Sequence, residues 1–366
     1  MSEPERATPL KRGWTTGACA AGAARAAFEA LMTGRFPDPV PVALPKGLRP
    51  EFALAAQELG AGFARAGIIK DAGDDPDVTH GALIVATVRR ARMSAGVIFK
   101  AGEGVGTVTR PGLPLPVGEP AINPAPRAMI RANLEEVGAR LSADVNAIVE
   151  ISVPGGEKIA ERTANGRLGV LGGLSILGTT GIVIPYSCSA WIHSIRRGVD
   201  VARASGCALI GAATGETSEA AIRALYDLPD HALIEMGDFV GALLKYLRQH
   251  PVPSLTIAGG PAKMTKLAEG KLDLHSKRGA VDLAAMSTRV AHAGGAASLV
   301  AAIAGANSAL HAFELAAATG FDLPALVADG AWATAAAVLA GQSVELETVV
   351  VGRDGRVLAS SGFRKV

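Results

Sequence analysis

The segment KDAGDDPDVTHG, residues 70–81, brings several reactive side-chain types together. It contains a cation, four carboxylates and an imidazole: Lys70, Asp71, Asp74, Asp75, Asp77 and His80. Such groups could hold a metal ion, transfer protons or stabilise a turn. The spacing D-x-x-D-D-x-D lacks the glycine and the closing glutamate of an EF-hand loop, so we expect no metal ligand here.

The same segment also has a purely structural interpretation. Aspartates cap turns through neighbouring backbone N–H groups, and Pro76 restricts the residue before it to extended or turn conformations. We expect Asp71 and Asp74 to cap the turn, and Asp75 and Asp77 to pair with basic residues. The imidazole at the end of the segment either completes this turn or transfers a proton.

A second candidate site lies in the other half of the chain. Three apolar runs are each followed by a helical pattern that opens with a glycine-containing loop. The runs and helices are 207–213 with 214–226, 231–237 with 238–250, and 254–260 with 261–270. This alternation predicts a βαβαβ unit of parallel strands, and ligands bind such sheets at the carboxyl ends of the strands.

The strand ends of this unit form the predicted cofactor site. Its residues are Thr214, Gly215, Glu216, Glu235, Gly237, Asp238, Gly259 and Gly260. Glu235 ends the second run, where nucleotide-binding sheets keep an acid for the ribose hydroxyls. The chain has neither a G-x-G-x-x-G motif nor a P-loop. The pattern favours a nucleoside-bearing ligand, and glycines that merely turn strands into helices are the alternative.

The predicted fold class is α/β with α+β character. The first half mixes helices at 15–34 and 127–141 with strands at 81–90 and 147–154, an irregular α+β order. We expect an α+β domain at 1–165 and a Rossmann-like, doubly wound domain at 166–366, with its βαβαβ core at about 205–270. C-terminal helices and a hairpin at Asp354-Gly355 complete the second domain.

Composition excludes several classes of partner. Aromatic residues make up 4% of the chain, and 36 basic against 34 acidic residues leave a net charge of +2 without a basic tract. We therefore expect no nucleic-acid partner.

Cys19, Cys188 and Cys207 are widely spaced, which fits a reducing compartment. The polar start lacks a signal core, and the uncharged stretch 168–192 is too rich in glycine for a spanning helix. A cytoplasmic location without a membrane contact is expected.

Five segments of the chain resemble a known family. The segments that carry the resemblance are 12–27, 70–81, 102–127, 173–185 and 263–282. They closely resemble the cobalt-precorrin-5B C1-methyltransferase family of cobalamin biosynthesis, in order and over nearly the whole chain. The resemblance implies methyl transfer from S-adenosylmethionine to ring carbon C1 of a cobalt-bearing tetrapyrrole. After Pro185 the chain reads YSCSA where many members are acidic, so no carboxylate role is carried to that stretch.

The implied substrate carries several carboxylate arms. Cations, helix N-termini and bare backbone are its expected partners: Thr15, Thr16, Lys70, Gly104, Gly106, Arg110, Arg127, Lys263, His275, Lys277 and Arg278. The long Gly/Pro loop 102–126 is expected to line the tetrapyrrole cleft. Thr79 and His80 are the predicted direct contacts of the macrocycle and the candidates for a catalytic role. Methyl transfer needs alignment and exclusion of water, so the reaction itself requires no metal.

Two other functions remain possible at the level of the sequence. A nicotinamide-dependent reductase of a corrinoid precursor would use a similar sheet, although the missing G-x-G-x-x-G weighs against it. A non-catalytic corrinoid-binding protein would need no adenosyl pocket. The sequence leaves the oligomeric state open, with a homodimer as one possibility.

Overall fold

The structure is a computed structural model that describes residues 9–366, apart from the side chain of Lys277. The chain forms two compact units. The first ends at Cys188 and the second is Ser189–Val366. Each unit has its own hydrophobic core.

The first unit is an α+β structure. In chain order its elements are β1 (Gly13–Trp14), α1 (Thr16–Thr33), β2 (Val40–Pro41), β3 (Glu51–Phe52), β4 (Ala56–Gly60), β5 (Phe63–Ile69), β6 (Leu83–Arg90), β7 (Val97–Ala101), β8 (Thr107–Val108), α2 (Pro124–Leu141), β9 (Ala147–Ser152), α3 (Gly156–Ala160), β10 (Val170–Leu171) and β11 (Ile182–Val183). The main sheet has the order β4-β5-β6-β9-β7. Its pairs are antiparallel except β7–β9, and α1 packs against β5, β6 and α2.

Helix α1 begins and ends as the sequence predicts. The Thr15 side chain accepts a hydrogen bond from the N–H of Ala18, and Gly34 follows the helix in the left-handed conformation at φ 76°. The helix is buried on nearly all sides because its residues are small. Cys19 lies inside it at 0% exposure, and burial raises the pKa of its thiol to about 12.

The predicted domain division at residue 165 falls inside the first unit. Residues 166–188 stay with that unit because β10 pairs with β8 and β11 pairs with β1. Each of these strands has two residues. Strands this short give no periodic signal in a sequence, which explains the difference.

The second unit is an α/β structure. Its elements are α4 (Cys188–Ala204), which starts at the boundary, then β12 (Leu209–Ala213), α5 (Glu216–Tyr226), β13 (Leu233–Glu235), α6 (Val240–Leu247), β14 (Ser254–Gly259), α7 (Pro261–Ala268), α8 (Leu283–His292), α9 (Ala297–Ala304), α10 (Ala309–Ala318), α11 (Leu323–Leu339), β15 (Glu345–Val351), β16 (Val357–Ser360) and β17 (Arg364–Lys365).

The sheet of this unit has the order β13-β12-β14-β15-β16, with β17 also paired to β15. Strands β13, β12, β14 and β15 are parallel, whereas β16 and β17 run antiparallel to β15. The predicted alternation of three strands and three helices is confirmed, and so is the hairpin at Asp354-Gly355. The structure adds β15 as a fourth parallel strand. As a whole the protein is a mixed α/β structure.

Helix α4 was not predicted from the sequence. Ile195, Val199 and Ala202 are buried at 1%, 0% and 0% exposure, a spacing that places them on one helical face. That signal is present in the sequence but follows the uncharged stretch 168–192, which hides its start. Among the helices that the structure describes, none is both long and apolar enough to cross a membrane.

Candidate functional site

A pocket of about 360 Å³ opens at the carboxyl ends of β12, β14 and β15. It is lined by Thr214, Gly215, Glu216, Thr217, Ser218, Gly260, Pro261, Ala262, Lys263, Leu310, Val351, Gly352 and Arg353. Strand β12 lies between β13, which follows it in the chain, and β14. The connection after β12 leads to β13 on one side and the connection after β14 leads to β15 on the other. Such a switch point between β12 and β14 leaves a crevice between the loops.

Helix α5 presents an uncapped N-terminus to this pocket. Gly215 precedes the helix in an extended conformation, with φ 166°, and makes no side-chain cap. The N–H groups of Glu216, Thr217 and Ser218 have no acceptor within the part of the chain that the structure describes. Free N–H groups and the helix dipole together make this end of the helix positive.

Two glycines keep the pocket open. A Cβ built on Gly215 or Gly260 would meet no atom within 4 Å. Gly260 precedes α7 with φ −70°, so any residue could adopt its backbone conformation. We infer that the absence of side chains at these two positions preserves space for a ligand rather than relieving strain.

Lys263 is fixed at one wall of the pocket. Its Nζ donates to the carbonyl of Thr214 at 2.8 Å and lies 3.2 Å from Oδ1 of Asp238. Oδ1 of Asp238 is buried and has no hydrogen-bond partner among the described residues, so this contact is an ion pair without a hydrogen bond. An ammonium group has three donors, and those not used by Thr214 are left for a ligand. The Thr214 residue is 7% exposed, and its hydroxyl makes no hydrogen bond with any described residue.

The predicted cofactor residues divide into two groups. The structure brings Thr214, Gly215, Glu216 and Gly260 together in the pocket. Gly259 lies beneath them, because a Cβ on it would come 2.8 Å from Oγ1 of Thr214.

The other three predicted cofactor residues lie at the end of the neighbouring strand β13 or just after it, and they do not line the pocket. Asp238 reaches it only through Lys263. Glu235 has an exposed side chain, and its carbonyl accepts from Nε1 of Trp191 at 3.2 Å. Gly237 turns at φ 56° beneath the same indole.

Sequence reasoning missed the third wall of the pocket. Leu310, Gly352 and Arg353 line it because β15 joins the sheet beside β14, after five intervening helices. The sequence signalled the hairpin that follows β15, but no local pattern reveals which strand β15 pairs with.

The aspartate segment 70–81 is a self-contained turn. Lys70 is 1% exposed, and its Nζ lies 2.7 Å from Oδ2 of Asp77, which confirms the predicted pairing of this aspartate. Oδ1 of Asp77 accepts from the N–H and the hydroxyl of Thr79 at 2.8 and 2.6 Å. Burial raises the pKa of Asp77, but the hydrogen bonds from Lys70 and Thr79 outweigh it and leave the pKa below its usual value. Lys70 and Thr79 are thus internal anchors, not free ligand contacts.

The remaining aspartates of the segment are also engaged. Asp71 accepts from the N–H of Gly73 at 2.8 Å, as predicted for a turn cap, and pairs with Lys11. Asp74 accepts from the backbone N–H of Lys11. Asp75 accepts from the N–H of Tyr186 at 2.8 Å instead of pairing with a basic side chain. Within residues 9–366, no three His, Cys, Asp or Glu side chains are arranged to hold a metal ion.

His80 is exposed but has a fixed hydrogen-bond pattern. Its Nδ1 accepts from the N–H of Ala72 at 3.1 Å, and the side chain is 55% exposed. Because Nδ1 accepts, the neutral ring carries its proton on Nε2. The outward-facing nitrogen is therefore a hydrogen-bond donor and cannot take a proton from a ligand.

The predicted substrate contacts at the start of α1 hold the protein itself. Oγ1 of Thr16 bonds both the carbonyl and the N–H of Leu177, at 3.2 and 2.9 Å. The N–H of Gly17 donates to the same carbonyl, and Thr15 caps the N–H of Ala18. The N-terminus of α1 is thus satisfied internally, unlike that of α5.

The loop 102–126 is also held together from within. A Cβ on Gly104 would lie 1.9 Å from the Val153 carbonyl, and one on Gly106 would lie 2.5 Å from Val170. These glycines permit close packing and do not expose bare backbone. Arg127 donates to two carbonyls at the end of the loop and pairs with a glutamate in it, Glu119.

Three predicted cations and one histidine remain. Arg110 lies over Gly169 and forms no ion pair with any residue that the structure describes. Arg278 is 74% exposed and lies 3.4 Å from Asp273, whose Oδ1 accepts from the N–H of His275. The side chain of Lys277 lies outside the described residues.

The fold and the pocket define a mixed α/β protein with a pocket at the ends of parallel strands. Family models agree on its relationship: the model for CbiD matches residues 3–185, and the model for the CbiD C-terminal domain matches residues 273–362. The chain belongs to the CbiD family, and the resemblance seen in the sequence is confirmed.

Three relatives share most of the chain. A protein of Agrobacterium fabrum is 62% identical, covering 94% of this chain and 91% of its own. Proteins of a Bradyrhizobium strain and of Methylorubrum extorquens are 58% and 57% identical, covering 96% of this chain and 93% and 97% of their own. All three are named cobalt-precorrin-5B C(1)-methyltransferase. A crystal structure of a cobalamin biosynthesis protein (CbiD) from Archaeoglobus fulgidus is 28% identical, covers 74% of this chain and 83% of its own, and has a TM-score of 0.40.

Proposed function

We propose that this protein transfers a methyl group from S-adenosylmethionine to ring carbon C1 of cobalt-precorrin-5B in the biosynthesis of cobalamin. The observation that carries the proposal is the 62% identity, over 94% of the chain, to a protein named for that reaction. The location we propose is the cytoplasm, and a homodimer is the oligomeric state that we would test first by light scattering.

The proposed cofactor site is the pocket at the ends of β12, β14 and β15. Its volume of about 360 Å³ falls within the usual range of small-ligand sites. The open space at Gly215 and Gly260 and the free N–H groups of α5 support a fit to a cofactor with a polar end. The parallel order β13-β12-β14-β15 supports a Rossmann-like, doubly wound arrangement for this half.

The bound cofactor would supply a methyl group on a sulfonium sulfur. The residues of this chain have to hold the reactants in line and keep water out. Leu310, Pro261 and Val351 give the pocket an apolar wall that can exclude water. No activated nucleophile is needed, because the leaving sulfide is neutral and the attacking ring carbon is electron-rich.

Glu235 stays in the proposed site as the partner of the ribose hydroxyls. Its side chain is exposed at the last residue of β13, the strand next to β12. Glu235→Ala should weaken the binding of S-adenosylhomocysteine by about 1–3 kcal/mol. Calorimetry measures this change. An unchanged affinity in a folded variant would show that Glu235 does not contact the ribose.

For the tetrapyrrole we propose contacts with side chains that are not already used in the turn 70–81 or in ion pairs. The outward Nε2–H of His80 can donate to a carboxylate arm, and Arg110 offers an unpaired guanidinium within the described residues. Lys70, Thr79 and Arg127 bind other groups of the protein, so we do not propose them as substrate contacts.

The test is a methyl-transfer assay with isotopically labelled S-adenosylmethionine and cobalt-precorrin-5B. We expect one labelled methyl group, located at C1 by NMR. Calorimetry with S-adenosylhomocysteine and NADPH tests the two alternatives. Binding of NADPH alone would favour a reductase, whereas a tetrapyrrole complex without affinity for either cofactor would favour a corrinoid-binding protein.

A further inference from the structure

The pocket contains several unused hydrogen-bond donors on one side. The first turn of α5 offers the N–H groups of Glu216, Thr217 and Ser218, which have no acceptor among the described residues. A helix end alone is a weak argument, since many helix ends are simply hydrated. The neighbouring side chains are more specific.

Thr214 supplies an independent observation. The residue is 7% exposed and lines the pocket, yet its hydroxyl bonds no residue in the described part of the chain. Polar side chains of largely buried residues normally have a partner, so the free hydroxyl of Thr214 at the pocket wall indicates a ligand. Gly259 leaves room for it, because a Cβ there would approach Oγ1 of Thr214 to 2.8 Å.

Lys263 adds a positive charge at the same wall. Its Nζ donates to the Thr214 carbonyl at 2.8 Å and lies 3.2 Å from Oδ1 of Asp238, and these two contacts hold the ammonium group at the pocket wall. Arg353 lines the opposite strand end, is exposed and has no ion-pair partner within residues 9–366. Glu216 carries the opposing negative charge, on the first residue of α5.

We infer that the first turn of α5, the Thr214 hydroxyl and the Lys263 ammonium bind a carboxylate group. Two or three N–H donors, one hydroxyl and one cation match the two oxygens and single charge of a carboxylate. The inference rests on the proposed function, whose reactants contain carboxylates and no phosphate. The carboxylate belongs either to the amino-acid end of the cofactor or to an arm of the tetrapyrrole.

The experiment separates these two sources in the full-length protein. Calorimetry compares S-adenosylhomocysteine with 5′-methylthioadenosine, which lacks the amino-acid end. The variants are Thr214→Val and Lys263→Met, with Thr214→Ser to restore the hydroxyl. Lys245→Met is the matched control, because Lys245 is an exposed lysine of the same unit that does not line the pocket. The KM for cobalt-precorrin-5B is measured for every variant.

If the bound carboxylate belongs to the cofactor, the wild type should bind S-adenosylhomocysteine about tenfold or more tightly than 5′-methylthioadenosine. Thr214→Val and Lys263→Met should reduce that preference severalfold, and Thr214→Ser should keep it. If the carboxylate belongs to the substrate, Thr214→Val and Lys263→Met should leave the preference for S-adenosylhomocysteine unchanged. Their KM for the tetrapyrrole should rise severalfold. If neither quantity changes in the folded variants, the carboxylate site is refuted.

The proposed function can fail separately. If the wild type does not bind S-adenosylhomocysteine, the pocket is not the cofactor site. The dependence of tetrapyrrole KM or affinity on Thr214 and Lys263 then still decides whether a carboxylate binds there. The melting temperature of each variant shows whether a loss of affinity comes from unfolding, and Thr214→Val conserves the shape of the side chain it replaces.

Discussion

Single residues decide which charges of the first unit are available to a ligand. Lys70 and Asp77 form a pair in which the cation is 1% and the carboxylate 25% exposed. Removing one partner of such a pair leaves a charge without compensation in a poorly hydrated place. The pair therefore belongs to the stability of the turn 70–81, and not to binding.

Asp77→Asn should lower the free energy of unfolding by about 3 kcal/mol. Because the pKa of Asp77 is below its usual value in the folded protein, its contribution is present above the unfolded pKa. It is lost as pH falls through the folded pKa. Urea unfolding at pH 7 and at pH 3 should therefore show a large difference from wild type at pH 7 and a smaller one at pH 3.

The matched control for that prediction is Asp71→Asn in the same turn. Its partner Lys11 is 67% exposed, and asparagine can still accept from Gly73, so we expect a change of about 1 kcal/mol or less. Equal losses for the two variants would contradict a special role for the buried pair.

His80 gives the second prediction at this scale. If its Nε2–H donates to the substrate, His80→Gln should keep most of the turnover, since an amide can donate from a similar position. His80→Ala should lose more, and both variants should melt near the wild-type temperature because the side chain is 55% exposed. A loss of about a hundredfold or more in both variants would instead identify a proton-transfer role.

At the scale of elements, α1 and α5 show why equal motifs differ in function. Both start after a strand, with threonines at or near the helix start, but the N-terminus of α1 is satisfied by Thr15 and by the segment around Leu177. That segment is 161 residues away from Thr16 in the chain. Of these two N-termini, that of α5 keeps N–H groups without an acceptor among the described residues, and no local pattern in the sequence separates the two cases.

The loops that begin α5 and α7 provide the third prediction. Gly260→Val should reduce the affinity for S-adenosylhomocysteine about tenfold or more while leaving the melting temperature nearly unchanged. The added side chain meets no protein atom within 4 Å of its Cβ and lies beside the pocket. Calorimetry and thermal unfolding measure the two effects.

Gly305→Val is the control, because Gly305 lies at the end of α9, also has a negative φ and lies outside the pocket lining. It should leave ligand affinity unchanged. If Gly260→Val binds S-adenosylhomocysteine as tightly as wild type, the ligand does not occupy the space beside Gly260.

At the scale of the molecule, the pocket belongs to one half of the chain. Every residue that lines the pocket belongs to the second unit, Ser189–Val366. That unit has a core that runs from α4 to β15. We therefore expect residues 189–366, expressed alone, to fold and to bind S-adenosylhomocysteine with nearly the affinity of the whole protein.

Circular dichroism and calorimetry test this expectation. The first unit alone should not bind the ligand, although it contains the aspartate turn. A well-folded second unit without affinity would contradict a cofactor site made only of its own residues.

Sequence reasoning succeeded where local signals are strong. Helix α1, the βαβαβ order of the second half and the Asp354-Gly355 hairpin were all visible in short-range patterns. It failed where long-range pairing decides, as in the addition of β15 to the sheet and of residues 166–188 to the first unit. Residue types alone also could not show that Lys70 is buried.

The burial of Cys19 makes its labelling rate a measure of how often α1 separates from its neighbours. A thiol at 0% exposure, with a pKa of about 12, cannot react with an alkylating reagent unless the helix leaves its neighbours. Cys188 is exposed, so it marks the rate of the unprotected reaction in the same chain. The ratio of the two labelling rates, followed by mass spectrometry, is a clock for the spontaneous opening of the first unit, and it can be read with and without bound tetrapyrrole.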